Sequence, residues 1–151
     1  MATNVIAVLN DLIETSKDGE RGFMKAAEEA HTPSVKEALL ESAERCTKGA
    51  RDLQDVVLKL GGTPERGGSV AGALHRGWID VKSAVGSRPD HAILADCEKG
   101  EDAAKKRFHD ALDKDDLPAD VRAVVERLYH GVMQNHDRIR AMRDQYAAMK
   151  T

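Results

Sequence analysis

Two short joints and one long one constrain this chain more than any other feature. Four segments repeat apolar or small residues at steps of three and four, the period of a helix with one buried face. The first runs from about Asn4 to Ala30, through Leu9, Ile13, Ser16, Phe23 and Ala27. The second runs from Pro33 to about Leu60, through Leu39, Ala43, Cys46, Ala50, Leu53 and Val57. The third runs from about Pro89 to Leu112, through Leu94, Cys97, Ala104 and Phe108. The fourth starts at Pro118 and continues to about Met149, through Val121, Val125, Leu128, Val132, Ile139, Met142 and Tyr146. A few residues separate the first helix from the second, and a few more the third from the fourth, so each pair must fold back as an antiparallel hairpin. Pro33 suits a first helical turn, with Thr32 as its cap. Gly61-Gly62-Thr63-Pro64 ends the second helix.

Between the hairpins lie residues 61–88. A helix of ~27 residues is about 40 Å long, and a segment of that size can return along it. The crossover carries its own shorter stripe, Val70, Leu74, Trp78, Val81 and Val85, which predicts a short helix anchored on the bundle by Trp78. Two antiparallel hairpins joined by one long crossover is the ferritin-like connectivity. The expected fold is therefore an all-α ferritin-like four-helix bundle forming a single domain over residues 1–151. Helices two and three should run parallel, and helices one and three antiparallel.

Composition agrees. Aromatics are 3% of the chain, so the core must be built from Leu, Val, Ile and Ala, a diet that suits helices. Apolar residues at 41% and charged residues at 32% exclude a disordered tail. No apolar run reaches the ~18–20 residues of a membrane span. The formal net charge of -3 gives no basic field for nucleic acid. The N-terminus lacks a basic start and does not read as a signal peptide, so a cytoplasmic protein is expected. Cys46 and Cys97 form no CxxC pair and read as core thiols.

A faint repeat relates the halves. Lys17-Asp18-Gly19-Glu20 resembles Glu98-Lys99-Gly100-Glu101, and Glu44-Arg45 before Gly49 resembles Glu126-Arg127 before Gly131. At 100° per residue, Glu20 and Glu101 fall within roughly 30–40° of the centres of their apolar stripes. Repeat-equivalent carboxylates facing one core need a cation, a shared proton, a basic partner or water. Asn135 also lies on the fourth stripe, with His136 and Gln54 at stripe edges. Glu44 and Glu126 point away and should be solvated.

These residues support two readings. In one, Glu20, Glu101 and His136 hold iron or another divalent metal, in a stress-related role. In the other, a structural or interaction bundle carries a polar core layer and no metal. A dimetal centre of the ferritin type takes a Glu-x-x-His from each of two helices. Thr47 follows Glu44 and Tyr129 follows Glu126 at that spacing, so the ligand set is incomplete. That gap weighs against an oxidase. The expected partner is a second copy of the chain, a homodimer through the crossover.

LNDLIETSKDGERGF (9–23), GSVAGALHRGWIDVKSAV (68–85), AILADCEKGEDAA (92–104) and LPADVRAVVERLYHGVMQNHDRIRAMRD (117–144) resemble a bacterial, mostly proteobacterial, family of four-helix-bundle proteins of unknown function. That family is grouped with ferritin-like folds. The resemblance implies the bundle, and implies no activity, cofactor or catalytic residue.

Overall fold

A computed structural model of the chain describes residues 2–66, 88–114 and 116–149. Its helices are α1 (Ala2–Glu29), α2 (Pro33–Lys59), α3 (Asp90–Lys114) and α4 (Ala119–Met149). They match the four periodic segments to within a few residues. Gly61, at φ +82°, takes the left-handed conformation that stops α2, and the Gly62 amide donates back to the Val57 carbonyl at 3.0 Å. The short crossover helix and its anchor Trp78 lie outside the described residues.

The helices pack as two hairpins, α1 with α2 and α3 with α4, joined along an α1–α3 face and a sparser α2–α4 face. Cross-links give the directions. The His31 amide, just past α1, donates to Asp90 Oδ1 at the start of α3, at 2.8 Å. Arg107, late in α3, pairs with Asp11, early in α1, at 3.0 Å. On the other face Ser34 and Tyr146 meet at 3.1 Å, and Asp52 and Arg127 at 3.1 Å. Both faces are antiparallel, so α2 and α3 run parallel, which is the ferritin-like order.

The apolar core is split in two. One cluster holds Phe23, Val35, Leu39, Ile93, Leu94 and Ile139. The other holds Leu9, Leu12, Ile13, Leu53, Val57, Phe108, Val121 and Val125. Between them, at the middle of every helix, the buried residues turn polar: Thr15, Ser16 and Asp18 on α1, Ser42 on α2, Glu98 and Glu101 on α3, Asn135 and His136 on α4. Any chemistry the core performs sits in this belt.

The α1–α2 joint is fastened from α3. Thr32 stands at the N-cap of α2 but makes no side-chain cap bond there. Instead the Asp90 carboxylate accepts the amides of His31 and Thr32, at 2.8 and 3.0 Å. Burial works to raise the Asp90 pKa, and the bonds from Thr32 and His31 outweigh it, so the group sits below the ordinary carboxylate range. A folded pKa below the unfolded one stabilises the fold above the unfolded pKa, and that contribution is lost as pH falls through the folded value. Asp90→Ala should cost about 1–2 kcal/mol at neutral pH, the size of a lost helix cap. The gap from wild type should close in acid; a gap independent of pH in chemical denaturation would contradict this role.

Candidate functional site

Glu101 is the most deeply buried carboxyl of the belt after Asp18, 2% exposed. Ser42 Oγ donates to Asn135 Oδ1 at 2.7 Å, which turns the Asn135 amide nitrogen to donate to the Glu101 carboxyl. The second carboxyl oxygen, Oε2, is buried with no hydrogen-bond partner. Burial pushes the Glu101 pKa up to about 7, against the Asn135 hydrogen bond and the nearby Arg45 charge, which lower it, and with Asp102, which raises it further.

Glu20 is not its equal. The side chain is one-quarter exposed, with Lys17 Nζ at 3.5 Å, and it accepts a hydrogen bond from the Thr47 hydroxyl. What the two glutamates share is Cys46: burial raises its pKa well above the ordinary thiol value, and the charges of Glu101 and then Glu20 raise it further, against Arg45. Burial, then Glu101, also raises Cys97. Both sulfurs are therefore protonated at neutral pH.

Cys46 also explains a glycine in the middle of α1. A Cβ on Gly19 would lie 2.7 Å from Cys46 Sγ, inside contact distance. Gly→Ala in a helix interior ordinarily gains about 0.5–1 kcal/mol. Here Gly19→Ala should instead destabilise, by about 1–3 kcal/mol, the range for overpacking. Adding Cys46→Ala should restore stability. Thermal melts of the two single variants and the double variant test this, and simple additivity would show that the two positions do not touch.

His136 is 2% exposed and belongs to a different part of the belt. Nδ1 lies 3.3 Å from Asp137 Oδ1. Nε2 lies 2.5 Å from Asp102 Oδ1 but in no hydrogen-bond geometry. Beside it Glu98, also buried, is held by Arg140 at 2.9 Å and by Arg143. Gln54, the repeat partner of His136, donates to the Glu65 carbonyl at 2.9 Å. Glu44 and Glu126 are exposed, as their positions predict.

A cavity of about 420 Å³ reaches Glu101 and Asn135 from the α2–α4 face. Thr15, Ser16, Ala104 and Phe108 form its buried inner wall, with Cys46, Leu128 and Val132 further out. Its rim is charged. Arg45 donates to the Gly131 carbonyl across the opening, Arg127 pairs with Asp52 at 3.1 Å, and Arg138 pairs with Glu41 at 3.0 Å. Gly49 and Gly131 both line it. Periodicity missed this cavity and the rim residue Arg45; the repeated glycine spacing is the one signal that marked the place.

These residues do not fit a dimetal centre. Among the described residues no three His, Cys, Asp or Glu side chains converge on a metal-sized position. Glu20 is engaged by Thr47 and Lys17, and His136 sits against Asp102.

Comparison with solved structures defines the class. The fold is similar to that of a dodecameric thioferritin, the bacterioferritin-related protein from Bacteroides fragilis, with a TM-score of 0.82 and 15% identity over 99% of this chain and 90% of that one. It is also similar to a mutant of Dps1 from Mycobacterium smegmatis, with a TM-score of 0.78 and 16% identity over 93% of this chain and 95% of that one. The fold is thus a ferritin-like four-helix bundle. The chain belongs to the family described as Domain of unknown function (DUF2383), which matches residues 4–114. No curated protein matches it. Among the described residues no helix is long and apolar enough to cross a membrane.

Proposed function

We propose that this chain is a ferritin-fold cation-binding protein, with Glu101 holding the cation at the inner wall of the α2–α4 cavity. One observation carries the reading: Glu101 lines an open cavity, and one of its carboxyl oxygens is buried without a partner. Leaving such a group unpaired costs about 1–3 kcal/mol, more when it is charged. A bound cation removes that cost.

Iron or another divalent metal in a stress-related role is the metal form of this proposal. It requires Glu20 to leave Thr47 and Lys17, or His136 to leave Asp102, before a full ligand set can form. The fold shared with a dodecameric thioferritin supports a homo-oligomer, and the proposal places one domain, residues 1–151, in the cytoplasm. A second reading, a structural bundle with no guest, is favoured by the Ser42–Asn135–Glu101 relay, whose hydrogen bonds form without one.

Thermal melts and calorimetric titrations of wild type and Glu101→Gln separate these readings. The ligands are Mn(II), Zn(II), anaerobic Fe(II) and an alkylammonium salt. The proposal expects at least one cation to raise the wild-type melting temperature and not that of the variant. A ligand at a hundred times its Kd stabilises by about 2.7 kcal/mol. A flat response to every cation overturns the proposal and is the signature of the structural bundle.

A further inference from the structure

We infer that the guest is a primary ammonium group on a short aliphatic chain, its head on the Glu101 carboxyl and its methylenes along Phe108, Leu128 and Val132. This rests on the cation-binding proposal and names the class of cation.

The donor count argues against a bare metal. A divalent ion needs several anionic or neutral oxygen, nitrogen or thiolate ligands at once, and the described residues offer no convergent three. An ammonium asks for less: it has three N–H donors and needs only acceptors. The cavity supplies them. Glu101 Oε2 is buried with no hydrogen-bond partner. Thr15 also lines the cavity; it gives its own hydroxyl hydrogen to the Asp11 carbonyl, at 2.9 Å, so its oxygen can only accept. Ser16 lines the same wall.

Size and lining point the same way. The cavity of about 420 Å³ equals roughly fourteen water shares of about 30 Å³ each, far more than one ion fills. Between the polar end and the charged rim the wall includes Ala104, Phe108, Leu128 and Val132, which match methylenes. The charged rim does not invite a polycation: Asp52 and Glu41 are paired with Arg127 and Arg138, and Arg45, Lys48 and Arg127 stand beside Glu44 in the same lining. Arg45, the cation nearest in effect to Glu101, is bonded to the Gly131 carbonyl and does not occupy the place.

The test is a calorimetric titration of the full chain with n-pentylammonium, its neutral analogue n-pentanol, and Mn(II). The proteins are wild type, Glu101→Gln, and Val132→Phe, which fills the apolar part and leaves the carboxyl. A hydrogen bond between charged groups is stronger than a neutral one, so wild type should bind the ammonium about tenfold or more tighter than the alcohol. Glu101→Gln should bring the two ligands level, and Val132→Phe should weaken both. Glu101-dependent binding of Mn(II) without binding of n-pentylammonium overturns this inference and leaves the cation proposal standing. Undiminished n-pentylammonium binding by Glu101→Gln overturns both, and so does the absence of binding by every ligand.

Discussion

Glu101→Gln is expected to stabilise the protein above neutrality, by up to about 3 kcal/mol, and to have almost no effect in mild acid. The ordinary pKa of the group is 4.5 and burial raises it to about 7 in the fold. For an acid shifted upward, the folded state holds a proton that the unfolded state has released. Stability is therefore intact below the unfolded pKa and declines as pH rises toward the folded one. At 1.36 kcal/mol per pKa unit, that window costs wild type about 3 kcal/mol. Gln keeps the shape of the protonated acid and cannot ionise, so it escapes the cost. Urea unfolding of both proteins at acid and alkaline pH measures the difference. A variant less stable than wild type at high pH would mean that the carboxylate already has a stabilising partner.

Phe108→Ala carries the largest expected loss. Phe108 is 2% exposed, belongs to the cluster with Leu9, Ile13, Val121 and Val125, and lines the cavity. Truncating a buried Phe costs about 3–5 kcal/mol, and the cost rises with the volume left empty. Here the new void joins one that exists, so neighbours cannot collapse to close it, and the loss should fall in the upper part of that range. The urea midpoint should drop without a change in slope. A guest that fills the enlarged space restores part of the loss by mass action. An unchanged midpoint would show that the ring is not packed.

The hairpins and their parallel crossing were legible because joint length and helical period fix them with little help from packing. Burial of Glu101 and Asn135 was legible for the same reason: both sit near a stripe centre. The period gives a direction around one helix and says nothing of what stands opposite. Glu20 and Glu101 look alike at roughly 30–40° from their stripe centres, yet Thr47 and Lys17 hold Glu20 near the surface while Glu101 sinks among Asn135 and Cys46. His136 lies at a stripe edge, and its burial depends on Asp102 and Glu98 across the hairpin. The close approach of Gly19 to Cys46 and the cavity at the sparse α2–α4 face are products of packing between helices, which a single-helix projection cannot carry.

The most direct measurement is a crystal structure of the full chain grown with n-pentylammonium. Density for the ammonium within about 3 Å of a Glu101 carboxyl oxygen, the distance of a charge-assisted hydrogen bond, with its chain against Phe108, Leu128 and Val132, is the predicted result. Water alone around that oxygen would contradict the account, as would two metal ions bridged by Glu20 and Glu101.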